Sequence, residues 1–102
     1  MTVYEHKTTL PVASGTIVTS TCYIPGGRGA QLLVRANTAT TVFMAELVDG
    51  DGVTRRNWGF HTGEINDTTD NIRLALTGSW AIRITNASVD DTFRMVLAVD
   101  EG

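Results

Sequence analysis

Turn-forming clusters recur along this chain about every ten residues, a spacing that belongs to sandwiches and barrels. They are Ala13-Ser14-Gly15, Pro25-Gly26-Gly27-Arg28-Gly29, residues 36–40, Asp49-Gly50-Asp51-Gly52, residues 59–63, residues 66–71, Thr77-Gly78-Ser79 and residues 86–91. Gly supplies positive φ in such turns, and Asn and Asp cap them locally. Between the turns, apolar and polar residues alternate. Leu32, Val34 and Ala36 share one face while Gln31 and Arg35 share the other. Phe43, Ala45 and Leu47 oppose Val42, Met44 and Glu46. Ile72, Leu74 and Leu76 form a third inward set, and Trp80, Ile82 and Ile84 oppose Ala81, Arg83 and Thr85. Phe93, Met95, Leu97 and Val99 oppose Thr92, Arg94, Val96 and Ala98. Period-two patterning with one polar face indicates antiparallel sheets packed face to face.

Composition agrees. The 102 residues include 16 Thr, 10 Val and 6 Ile, so nearly a third are β-branched, the class that prefers pleated, half-buried surfaces. No segment sustains helical periodicity over three turns. The pattern predicts about eight strands, at 3–12, 16–24, 30–36, 41–48, 53–58, 72–77, 80–86 and 92–99. That number suits an all-β antiparallel sandwich of jelly-roll type. The length allows a single domain over residues 1–102, with one modest core, and excludes a two-domain enzyme. Residues 1–10 have the composition of an arm or edge strand that contacts a partner.

Several function classes find no support. Lysine appears once among the eight basic residues, so no polybasic tract suits nucleic acid or acidic lipid. The longest apolar run, residues 95–99, is far short of the roughly 20 residues that span a bilayer. The N-terminus lacks the basic and apolar stretches of a secretory signal, so synthesis in a reducing cytoplasm is expected. The lone Cys22 cannot form an internal disulfide. The sequons at Asn66 and Asn86 are then read as chance.

Candidate chemistry is sparse. Cys22 with His6 or His61 is the only thiol–imidazole combination, and no catalytic signature surrounds Cys22. Those three residues also lack the paired spacing of zinc sites. Asp49-Gly50-Asp51-Gly52 begins like a calcium loop but lacks the later ligands, so it reads as a hairpin turn. Glu64, Asp67, Asp70, Asp90 and Asp91 are the carboxylates that loops could bring to one calcium ion. The Gly26-Gly27-Arg28-Gly29 run precedes a strand, not a helix, and reads as a turn rather than a phosphate loop. No catalytic residues, cofactor or metal are expected, and the chain is read as a non-enzyme. The rings of Tyr4, Tyr23, Trp58, Phe60 and Trp80 could make a sugar-stacking platform or plain core. Residues 53–60 join Arg55 and Arg56 to Trp58 and Phe60, a combination enriched at interfaces. Here too the alternative is aromatics in the core and arginines in solvent.

The order of segments resembles a known class. It opens with Ser14-Gly15-Thr16 and a strand ending at Tyr23-Ile24-Pro25. The strand Gln31-Leu32-Leu33-Val34-Arg35-Ala36, a Thr-rich turn, and Val42-Phe43-Met44-Ala45-Glu46-Leu47 follow. It closes with Trp80-Ala81-Ile82-Arg83-Ile84-Thr85-Asn86 and Asp91-Thr92-Phe93-Arg94-Met95-Val96-Leu97. Over residues 14–99 this resembles small β-sandwich structural proteins of tailed bacteriophage virions, which look like capsid decoration, or cement, proteins. The polar loop between Trp58 and Ile72 departs from that pattern. The resemblance implies a virion structural protein on the capsid surface, bound to the major capsid protein and to copies of itself as a homo-oligomer. It implies no nucleic-acid or membrane partner. Tyr4, His6, Arg55, Arg56, Trp58 and Phe60 are the expected contact residues. The alternatives are a carbohydrate-binding sandwich module or another phage part, such as a connector, tail or fibre component.

Overall fold

A computed structural model describes residues 2–67 and 72–101. The described elements are β1 (Thr2–Val12), β2 (Ile17–Ile24), β3 (Arg28–Ala36), β4 (Val42–Asp49), β5 (Thr54–Thr62), β6 (Glu64–Asn66), β7 (Ile72–Ala75), β8 (Gly78–Asn86) and β9 (Asp91–Asp100). They form two antiparallel sheets. One runs β1-β9-β3-β6, with β7 also on β3, and the other runs β2-β8-β4-β5. β6 lies against Leu33–Arg35 and β7 against residues 28–30, so the two occupy one interrupted strand position beside β3. Counted that way there are eight positions, and their order in both sheets is that of a jelly roll. The all-β sandwich expected from the alternation is therefore the fold.

The inward sets named from the sequence form the core. Leu32, Val34, Phe43, Ala45, Leu47, Ile82, Ile84, Phe93, Met95, Leu97 and Val99 are fully buried, and Ala36, Leu76 and Trp80 join them. Phe43 on β4 and Phe93 on β9 meet edge to face across the two sheets, with ring centroids 4.9 Å apart. The expected inward setting of Ile72 lies outside the described side chains.

One turn assignment changes. The cluster at residues 59–63 is not one turn, because β5 continues to Thr62 and the chain reverses at Gly63. Gly63 has φ of 78°, and a Cβ there would lie 2.5 Å from the Ala39 carbonyl oxygen, so only glycine fits. Gly59 (φ 71°) instead makes a bulge inside β5, with Asn57 Oδ1 accepting the Gly59 N–H at 2.7 Å. The short polar strand β6 was not expected, since one apolar residue, Ile65, is too little for an alternation signal. The turn expected at residues 66–71 falls largely outside the described residues. Asp49-Gly50-Asp51-Gly52 is the hairpin turn expected. The Asp49 carboxylate accepts the N–H groups of Asp51 and Val53, both at 3.0 Å, and Gly52 takes positive φ.

Candidate interaction surface

The six residues expected to make contacts do not share a surface. Tyr4 and His6 lie on β1, the edge of the five-stranded sheet, and Arg55, Arg56, Trp58 and Phe60 lie on β5, the edge of the four-stranded sheet. β1 sits over β2, while β5 sits over β6 on the opposite flank of the sandwich. On β1 the side chains at 4, 6, 8, 10 and 12 turn inward. Tyr4 packs against the core, and His6 Nε2 lies 2.9 Å from the Ser20 hydroxyl of β2, closing that flank with a polar bond.

The Gly59 bulge separates the two aromatics of β5. Asn57 and Phe60 pair with Glu46 and Met44, two residues apart on β4, so the extra residue keeps both on the outer face. Trp58 turns inward and packs against the core, and its indole N–H donates to Asp67 Oδ2 at 2.9 Å. The Arg56 guanidinium lies 5.5 Å from the Trp58 ring centroid and 3.7 Å from the same buried carboxylate. Trp58, Arg56 and Asp67 thus seal the second flank. Arg55 pairs with Asp49 at 3.4 Å in the hairpin. Phe60 remains 58% exposed.

Phe60 belongs to a row that crosses the four-stranded sheet. Register places Ile17 of β2 beside Thr85 of β8, Thr85 beside Met44 of β4, and Met44 beside Phe60. Ile17 is 60% exposed. The next row is polar: Thr19, Arg83, Glu46 and Asn57, with Arg83 and Glu46 ion-paired at 3.8 Å. A mainly apolar row beside a polar one is the layout of an adhesive face with a polar rim. Val42 and Met44 are half-buried apolar residues on this outward face.

The other rings are dispersed. Trp80 is buried, and Tyr23, 68% exposed, lies on β2 at the opposite edge from Phe60. The five rings therefore do not line up as one platform. Tyr23 borders a shallow cleft with Thr21, Asp49, Ser79 and Trp80. Cys22 is half-buried, burial pushes its thiol upward, and His61 stands at the far edge of the same sheet.

One end of the sandwich is tied by acidic and amide side chains. Asp91 Oδ2 accepts from the Thr41 hydroxyl at 2.6 Å and the Thr38 N–H at 3.0 Å. Asp90 accepts the Ser14 N–H at 2.7 Å. Glu64 pairs with Arg35. Among the described residues, no group of three His, Cys, Asp or Glu side chains converges as a metal site, and Asp70 lies outside them. Asn86 is fully buried and its amide donates to Val12 O and Val89 O, so the sequon there is inaccessible in the folded chain.

Asp91 gives a pH prediction. Desolvation pushes its carboxyl upward, but hydrogen bonds from the Thr41 hydroxyl, the Thr92 N–H and Thr38 outweigh it, and the net shift is downward. A carboxyl depressed on folding contributes stability that is complete above its unfolded pKa, about 3.9, and is lost as pH falls through the folded value. The urea midpoint should therefore drop below about pH 4, and Asp91→Asn should flatten that drop. An equal drop in both proteins would show that Asp91 does not carry it.

No protein-family model matches the sequence, and no curated protein matches it. Solved structures do resemble it. The pre-peptidase C-terminal domain of collagenase from Bacillus anthracis aligns at TM-score 0.64 and 11% identity, covering 90% of this chain and 88% of that one. The periplasmic g-type lysozyme inhibitor PliG of Aeromonas hydrophila aligns at TM-score 0.60 and 8% identity, covering 94% and 86%. At these identities the likeness is one of fold: small β-sandwich domains. No helix among the described residues is long and apolar enough to cross a membrane.

Proposed function

We propose that this chain is a non-catalytic structural protein that works by surface contact, and that it decorates the capsid of a tailed bacteriophage, binding and stabilising the major capsid shell. The observation that carries the contact reading is the row Ile17–Thr85–Met44–Phe60 on an outward sheet face, apolar except at Thr85. The virion setting comes from the resemblance over residues 14–99. A cement protein adds buried contacts across neighbouring shell subunits, so dissociation must break those as well. Many copies multiply a modest free energy per site. The fold supplies a rigid body for this, with β1, β2 and β5 as strand edges that an extended arm of a partner could extend.

The test is direct. Purified protein added to capsids that lack it should co-sediment with them and raise their heat resistance. Phe60→Ser with Ile17→Ser should weaken that binding by about tenfold or more while leaving the unfolding midpoint of the free protein nearly unchanged. Absence of any co-sedimentation would refute the capsid reading. Wild-type binding by the double variant would remove the row from it. A carbohydrate-binding reading now rests on Tyr23 and its cleft. Glycan-array signal abolished by Tyr23→Ala would favour it.

A further inference from the structure

The outward face of the five-stranded sheet carries an arrangement that the contact reading does not use. Its register sets Thr9 of β1 beside Arg94 of β9, and Arg94 directly opposite Arg35 of β3. Beyond Arg35 stands Glu64 of β6, whose carboxylate lies 3.2 Å from the Arg35 guanidinium. Two arginines opposite one another in a sheet repel. A single carboxylate offsets only one of them, and Arg94 has no ion pair among the described residues. The pair does not sit on a flat surface. Thr9, Arg35, Ala36, Asn37, Thr92 and Arg94 line a depression of about 200 Å³, several times the roughly 30 Å³ of one water molecule. Its floor is fixed by the backbone, since the Asn37 N–H donates to the Thr92 carbonyl at 3.0 Å. Besides the two arginines, its lining residues include Asn37, Thr9 and Thr92, which carry an amide and two hydroxyls.

We propose that this pocket binds a tetrahedral oxyanion, a phosphate or sulfate group. Guanidinium forks match such groups with paired hydrogen bonds, and the hydroxyls and amide can satisfy the remaining oxygens. The bound anion would also cancel the repulsion between Arg35 and Arg94. The inference does not depend on the virion reading.

The experiment is an amide and guanidinium NMR titration of the whole chain with sodium phosphate, against sodium chloride at equal ionic strength. Saturating shifts are expected at Arg35, Asn37, Thr92 and Arg94 with phosphate and not with chloride. Arg94→Gln and Arg35→Gln should each weaken binding about tenfold. Glu64→Gln, which frees Arg35, should tighten it severalfold, and Arg83→Gln on the other sheet should leave it unchanged. Phosphate should raise the thermal midpoint of the wild type more than that of Arg94→Gln. A second arm with ribose 5-phosphate separates the sources. Equal binding means the group is recognised on a larger molecule, and binding of the free ion alone means inorganic anion. Linear, non-saturating shifts, equal shifts with chloride, or binding indifferent to both arginine substitutions would overturn the proposal.

Discussion

Phe93→Ala should lower stability by about 3–5 kcal/mol, the range for removing a fully buried aromatic ring from a packed core. Phe93 has no exposed surface and stacks edge to face on Phe43, so the substitution removes that contact between the sheets along with the ring's own burial. A domain of this size has only about 5–15 kcal/mol in total. The thermal midpoint should fall by roughly 15–30 °C. In urea the midpoint should drop with an unchanged slope, as expected when the native state is weakened and the surface exposed on unfolding stays the same. Phe93→Leu should recover most of the loss, since it refills much of the cavity. A loss below about 1 kcal/mol for Phe93→Ala would mean the sandwich closes over the cavity.

The second large effect is expected at Asn86, whose side chain is fully buried at the end of β8. Its amide donates to Val12 O at 2.9 Å and Val89 O at 2.7 Å, and its oxygen accepts the Ser88 N–H at 2.9 Å. One residue thereby fastens the end of β1 to the loop between β8 and β9. Its backbone also bonds to Gly15 and Thr16 of the β1–β2 turn. Asn86→Ala keeps those backbone bonds but takes the side-chain partner from Val12 O, Val89 O and the Ser88 N–H, the first of these bonds buried and the other two part-buried; an orphaned buried group costs about 1–3 kcal/mol, so a loss near 3 kcal/mol is expected. Asn86→Asp keeps the shape but puts an acceptor and a buried charge where two donors stood. It should destabilise at least as much at neutral pH and recover partly as acid protonates the carboxyl. A loss under about 0.5 kcal/mol for Asn86→Ala would show that water replaces the side chain and that the tie is dispensable.

Much of the fold was legible because it rests on local patterns. The alternation over Leu32–Ala36, Phe43–Leu47, Trp80–Ile84 and Phe93–Val99 named inward residues that are buried in the structure. Asp49-Gly50-Asp51-Gly52 was readable as a turn because its stabilising bonds run within five residues. β6 escaped notice because a strand of three mostly polar residues is held by its neighbour β3 rather than by its own composition. The contact set was less legible. Tyr4, His6 and Trp58 carry residue types common at interfaces, yet they face inward, with partners distant along the chain or across the sandwich that no local pattern reveals.

A small all-β sandwich, and the buried face of most of its strands, can be read from local alternation, because a period of two is a property of neighbouring residues. Which strands lie side by side, and in what register, emerges from the folded molecule alone. That placed Ile17, Thr85, Met44 and Phe60 in one row and Arg35 against Arg94 in one pocket. It also decided that a bulge at Gly59 would send Trp58 inward and leave Phe60 outside. Strand pairing is a long-range choice. Backbone hydrogen bonds are nearly indifferent to sequence, so register is selected by the burial of every inward face at once.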